Sequence, residues 1–176
     1  MKSILSKSFL TSFSLLFLCT TSVQAEENFA LIKPSAQSDI LKLAIGYYDV
    51  LDDQDGIDLR LEYQPSSVVF IDNLHPWAGL ELTSHGSIWA GGGLAYDWNF
   101  EPDWTLTPSL GIGLYNKGGS DVDLDYPIEF RSQLALSYEY DTEKKVGLAL
   151  SHLSNANLGH SNPGTEVISL YWSFPF

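Results

Sequence analysis

Histidine, serine, asparagine and glutamate side chains are concentrated in one stretch of the chain, HLSNANLGHSNPGTE at residues 152–166. A serine hydroxyl is a weak nucleophile until an imidazole takes its proton. A carboxylate on the other ring nitrogen fixes the tautomer of the imidazole and stabilises the imidazolium. His152, Ser154 and Glu166 are the residue types that this chemistry needs. They are therefore the candidate catalytic residues.

The same stretch offers hydrogen-bond donors for a developing oxyanion, namely Asn155, Asn162 and the backbone of Gly164. Taken singly, a histidine, serine or asparagine in such a stretch more often marks a polar strand end than a catalytic group. A catalytic site requires that the candidate side chains lie on one face, whereas a polar loop does not. The strands that carry them decide between the two interpretations.

Apolar and polar residues alternate with a period of two through most of the chain, which predicts strands rather than helices. The eight predicted strands are 41–47, 57–63, 78–83, 88–100, 105–114, 128–140, 145–150 and 168–176. Short polar turns separate some of them, and the longer connections are residues 116–125 and 155–165. An even number of strands with short turns at one end and longer loops at the other is typical of an outer-membrane barrel.

The two faces of the predicted strands differ in polarity. The less apolar face carries charges of both signs, which could pair inside a filled polar interior: Asp58, Arg60, Glu62, Glu129, Arg131 and Glu139. A soluble lipocalin-like barrel or a sandwich is the alternative. The alternation 170–176 ends on the aromatic Phe176, as in bacterial outer-membrane barrels, and residues 98–104 supply an aromatic girdle. We therefore predict an all-β fold, an eight-stranded antiparallel transmembrane β-barrel of the outer membrane.

The first 25 residues resemble a secretory signal peptide, because a basic start precedes an apolar stretch and a small-residue cleavage site at 23–25. A single barrel domain would then span residues 26–176, without cysteine and hence without a disulfide. The full chain has 9 basic and 22 acidic residues and a net charge of −13, which argues against nucleic acid as a partner. The acidity fits either solubility or loops that face a cation-rich polyanionic surface.

Strand parity predicts the direction of the candidate side chains. On the seventh strand the apolar residues of 146–150 face lipid, and steps of two lead from them to His152 and Ser154. Counting back along the last strand reaches Glu166, so all three lie on the outer wall unless a bulge reverses the parity. Facing side chains on neighbouring strands are about 5 Å apart, so Glu166 can approach the other two. With both termini in the periplasm, the site would lie at the outer-leaflet interface.

At these residues the chain resembles the lipid A 3-O-deacylases (PagL) of Gram-negative outer membranes. The resemblance lies in HLSN at residues 152–155, followed by NPGTE at residues 162–166. The predicted signal peptide, the eight strands and the terminal Phe176 also agree, so the resemblance covers essentially the whole chain.

The resemblance implies a set of roles for the polar residues. Ser154 would be the nucleophile, His152 the general base and Glu166 the orienting acid, with Asn155 and Asn162 in the oxyanion region. The implied reaction is hydrolysis of the ester that holds the 3-hydroxyacyl chain at position 3 of lipid A. Lipopolysaccharide and outer-membrane lipids would be the partners, and the scheme needs no metal or cofactor.

Two other functions remain open at this point. One is a non-catalytic barrel that binds lipopolysaccharide or stabilises the envelope, and the other is a different lipid esterase such as a phospholipase. The loop Asp121–Asp125 has spaced carboxylates that could bind calcium, but it lacks the EF-hand pattern, so a solvated loop is favoured. The sequence specifies neither the oligomeric state nor the acyl-chain length.

Overall fold

The computed structural model of the protein describes residues 32–33, 38–51 and 56–176. The predicted signal peptide, residues 1–25, lies outside the described residues. Eight long strands form the barrel: β1 Ile40–Tyr48, β2 Gly56–Gln64, β3 Leu74–Thr83, β4 Ile88–Tyr96, β5 Trp104–Asn116, β6 Ile128–Asp141, β7 Lys144–Ser154 and β8 Gly164–Pro175. A short segment, Trp98–Glu101, extends β4 alongside β5, and Ile32–Lys33 pairs with Val68–Val69.

The eight strands close into a single antiparallel barrel. Their order around the wall is β4-β3-β2-β1-β8-β7-β6-β5, and β5 pairs in turn with β4. Closure leaves no open sheet edge, so the backbone polar groups of the wall can be satisfied within the bilayer. Among the described residues, no helix is long and apolar enough to cross a membrane. The predicted eight-stranded fold is confirmed.

The outer wall of the barrel is apolar and the inner wall polar, as in a transmembrane barrel. Large apolar side chains such as Leu43, Leu59 and Leu134 are exposed on the outside. We call the end with the tight turns near residues 102 and 142 the turn end, and the opposite end, with loops 117–127 and 155–163, the loop end. At the turn end, aromatic rings form a girdle of the kind found at a membrane interface: Trp98, Phe100, Trp104, Tyr138 and Trp172.

Ion pairs between almost fully buried side chains fill the centre of the barrel. Arg60 contacts Glu81 at 3.0 Å and Asp58 at 3.4 Å. Arg131 contacts Glu81 at 3.4 Å and also pairs with Glu62. The predicted pairing of interior charges is therefore confirmed for these residues, and Glu81 is a shared partner that the sequence reasoning did not include.

Two tryptophans hold the guanidinium of Arg131 in place. Its Cζ atom lies 4.3 Å from the ring centroid of Trp77 and 4.8 Å from that of Trp89, within range of a cation–π interaction. Gly91 and Gly111 leave room for these rings, since a Cβ at either position would overlap them. Glu129 differs from the other interior charges, because its carboxylate oxygens have no hydrogen-bond partner among the described residues.

We predict that Arg131→Met destabilises the barrel by about 3–5 kcal/mol, because Glu62 and Glu81 would lose a buried partner. The measurement is the free energy of unfolding in urea of protein refolded into detergent micelles. Lys117→Met is the control, since it removes an exposed pair with Asp123 at the loop end and should leave that free energy unchanged. Equal stability of both variants would contradict the prediction.

Candidate active site

His152 and Glu166 lie opposite each other on β7 and β8 and share a hydrogen bond. They are register partners, and His152 Nδ1 is 2.9 Å from Glu166 Oε1. Both side chains are on the outer wall, with 44% and 24% of the side chain exposed. The carboxylate therefore fixes the ring orientation and leaves Nε2 as the nitrogen that is available for proton transfer.

The outward direction of these side chains follows from unbroken strand pairing. Between residues 145 and 154, β7 pairs with β6 and β8 without a bulge. Residues on either side of His152 and Glu166 are buried in the barrel: Ser151, Leu153, Thr165 and Val167. Because neighbours along a strand point to opposite faces, the burial of these four residues holds His152 and Glu166 outside.

Ser154 is next to this pair, at the loop end of β7. It is half-buried and faces Gly164 across β7 and β8. The imidazole of His152 lies over Gly164, because a Cβ there would overlap its Cε1 atom and lie 3.1 Å from its Nε2 atom. The ring thus leans toward the Ser154–Gly164 pair. No hydrogen bond joins Ser154 to His152 in this structure, and such bonds are often long until substrate is present.

Asn155 and Asn162 lie in the loop that joins β7 to β8, which we call the site loop, residues 155–163. Asn155 is fully buried, and its Nδ2 atom donates to the carbonyl of Leu124 at 2.8 Å and to that of Ser161 at 2.9 Å. Both side-chain N–H groups are engaged, so this amide anchors the loop and is not directed at Ser154. Asn162 is exposed near the start of β8.

An apolar groove of about 1010 Å³ adjoins the pair on the outer wall. It extends from His152 and Glu166 across β6 and β5 to Leu94 and Tyr96 on β4. Gly92 and other small residues form the floor of the groove and leave it deep. The side chains that border it are mostly apolar. A groove of this kind, open to the bilayer, suits a hydrocarbon chain that reaches the imidazole from the side.

The family model for lipid A 3-O-deacylase (PagL) matches residues 58–175 of this chain, a range that includes both halves of the polar stretch. The chain belongs to the PagL family. No curated protein sequence matches it significantly.

Solved structures share the fold of this PagL-family chain at low sequence identity. The crystal structure of the outer-membrane enzyme PagL is 19% identical with a TM-score of 0.59, covering 78% of this chain and 99% of that one. The corresponding values for Neisserial surface protein A are 13% and 0.57, with coverage of 78% and 96%. A de novo designed transmembrane β-barrel gives 13% and 0.51, with coverage of 81% and 98%.

The acidic loop between β5 and β6 packs against the site loop. Asp125 Oδ2 accepts the backbone N–H of Ser161 at 2.8 Å, and Asp123 pairs with Lys117 at 2.8 Å. Among the described residues, no group of three His, Cys, Asp or Glu side chains could hold a metal ion. The carboxylates of Asp123 and Asp125 thus bind groups of the chain itself, and Asp125 joins two loops at the loop end.

Ser132 is a polar residue beside His152 that the sequence reasoning missed. It lies on the outer wall of β6, opposite His152 on one side and Leu110 on the other. The signal was present, because the outward positions of β6 read Phe130, Ser132, Leu134, and a serine interrupts an otherwise apolar face. Only the register of β6 against β7 places it next to the imidazole.

We predict that Gly164→Ala displaces the imidazole of His152, because the added methyl group would occupy the position of the ring. The measurement is the NMR spectrum of the histidine-labelled protein in detergent micelles. Between wild type and variant, the His152 resonances should shift and those of the buried His75 should not. Gly119→Ala is the control, since a Cβ there meets only the His85 carbonyl, at 3.3 Å. An unchanged His152 spectrum would contradict the contact.

The contact between Asp125 and Ser161 should depend on pH. The pKa of Asp125 is lowered from its ordinary value of 3.8, first because the Ser161 N–H donates to it. The contact therefore contributes to stability at and above that value, and this contribution is lost as the pH falls through the lower folded-state pKa.

We predict that Asp125→Ala accelerates amide hydrogen exchange in the site loop at neutral pH, while β7 and β8 keep their protection. Asp121→Ala, in the same acidic loop, is the matched control. Equal exchange in the two variants would show that Asp125 does not hold the site loop.

Proposed function

We propose that this protein is an outer-membrane lipid A 3-O-deacylase that works as a Ser-His-Glu hydrolase. The observation that carries the proposal is the 2.9 Å hydrogen bond between His152 and Glu166 on a lipid-facing wall, beside Ser154. Polar side chains facing lipid are costly and need a functional reason. Membership of the PagL family supports the choice of lipid A as the substrate.

In the first half of the reaction, the Ser154 hydroxyl attacks the carbonyl carbon of the acyl ester at position 3 of lipid A. His152 Nε2 takes the hydroxyl proton, and Glu166 stabilises the resulting imidazolium through Nδ1–H. The tetrahedral intermediate carries its negative charge on the former carbonyl oxygen. Asn162 and the Gly164 backbone are the proposed donors to that oxygen, because the side-chain amide of Asn155 is already engaged.

In the second half, the intermediate collapses and the sugar oxygen leaves with the proton from His152. The product left on the enzyme is an ester between Ser154 and the 3-hydroxy fatty acid. Water, deprotonated by His152, then attacks this ester. His152 returns the proton to the Ser154 oxygen as that oxygen leaves, so the 3-hydroxy fatty acid is released and the Ser154 hydroxyl is restored.

The position of the site suits a substrate that is itself part of the membrane. Lipopolysaccharide would present its ester beside Ser154 while the acyl chain lies in the apolar groove on the outer wall. The acyl chain would therefore not need to leave the hydrocarbon environment to react.

We further propose that residues 1–25 serve as a signal peptide for export of the protein and that residues 26–176 form its single barrel domain.

We predict that Ser154→Ala lowers the release of 3-hydroxy fatty acid from lipopolysaccharide by at least about 10⁴-fold, because the nucleophile is lost. The measurement is mass spectrometry of lipid A and of the released acid after incubation with the refolded protein. Ser161→Ala is the matched control, since it removes an exposed hydroxyl of the site loop and should retain activity.

The same assay separates the competing functions. Loss of one 3-hydroxyacyl mass from lipid A is required by the proposal. A wild-type protein that releases no acid would favour a non-catalytic barrel, and release from phospholipid alone would favour a phospholipase. Full activity of Ser154→Ala would exclude Ser154 as the nucleophile.

A further inference from the structure

The polar residues of the outer wall form one patch. Asn116 and Lys144 are at strand ends, and tyrosine and tryptophan rings lie among the apolar side chains of the outer wall. The other polar side chains that point outward from the eight strands are Ser132, His152, Ser154 and Glu166. Three of these have roles in the proposed reaction. Ser132 has none, although a hydroxyl that faces hydrocarbon without a partner also costs free energy.

The position of Ser132 is set by the strand register. It is the direct partner of His152 across β6 and β7, so the Cβ atoms of the two residues are about 4.5–5.5 Å apart. The side chain is exposed, and its hydroxyl makes no hydrogen bond within the described part of the chain. It is thus free to bind a polar group that enters from the bilayer.

The imidazole does not use Ser132. His152 Nδ1 is bonded to Glu166 on β8, and Nε2 lies near Gly164, which is also on β8. The ring therefore leans away from β6, and the space between His152 and Ser132 is part of the groove. Ser132 is on the path from the ester to the apolar part of the groove at Leu110 and Leu94.

We propose that Ser132 binds the hydroxyl group on the third carbon of the scissile acyl chain and selects 3-hydroxyacyl esters over plain acyl esters. This inference rests on the proposed function. With the carbonyl carbon at Ser154 and the chain crossing β6, the third carbon passes the Ser132 hydroxyl. The hydroxyl on the third carbon is the one polar group of such a chain beyond the ester, and Ser132 is the one outward side chain of β6 that is neither aliphatic nor aromatic.

The test uses two synthetic glucosamine esters of equal chain length, one with a 3-hydroxyacyl chain and one without the hydroxyl. The wild-type protein in micelles should prefer the hydroxylated ester by about tenfold in kcat/KM, the effect of one hydrogen bond. In Ser132→Ala the ratio of the two kcat/KM values should fall to about one, because kcat/KM for the hydroxylated ester decreases. Ser132→Thr, which keeps a hydroxyl, should retain the preference, as should Leu134→Ala, which changes a neighbouring groove residue only in size.

The outcomes separate this inference from the proposed function. If the wild type hydrolyses neither ester, the proposed function fails. If it hydrolyses both at the same rate, or if Ser132→Ala keeps the preference, the role of Ser132 is wrong while the deacylase function stands. An equal decrease in kcat/KM for both esters in Ser132→Ala would also overturn the inference, because Ser132 would then support the site without binding the 3-hydroxyl group.

Discussion

Closed antiparallel pairing is the constraint on which the rest of this structure depends. Each strand is bonded on both sides, so every side chain points either into the barrel or toward lipid. A shift of one residue would expose Arg60 and Arg131 to hydrocarbon, and the interior ion pairs would be lost. The register that buries these arginines is therefore the same register that holds His152 and Glu166 outside.

Buried neighbours also hold the candidate site in place from inside the barrel. Ser154 lies between Leu153 and Asn155, both of which are almost fully buried at the loop end. Asn155 ties the site loop to the carbonyl of Leu124, and Asp125 ties the same loop through Ser161. The proposed reaction needs Ser154 and His152 within a narrow range of geometry, and inward-facing residues supply this support on a wall that is otherwise in contact with fluid lipid.

Small residues contribute to the site as much as polar ones. Gly164 leaves space for the imidazole, and Gly92 lowers the floor of the groove. Ser132 combines both properties, since it is small and carries a hydroxyl beside His152. These residues give a weak signal in a sequence, because a glycine or a serine in a strand has many ordinary explanations, and the space that it leaves is defined only by neighbouring strands.

The sequence by itself determined the eight strands, the two faces and the outward direction of His152, Ser154 and Glu166, because a period of two is a local property of the chain. Only the tertiary structure decided which strands are neighbours at which register. It therefore decided that His152 is hydrogen-bonded to Glu166 on β8 and lies opposite Ser132 on β6. It also decided the partners of the Asn155 side-chain amide, which donates to the carbonyls of Leu124 and Ser161 and is therefore not directed at Ser154.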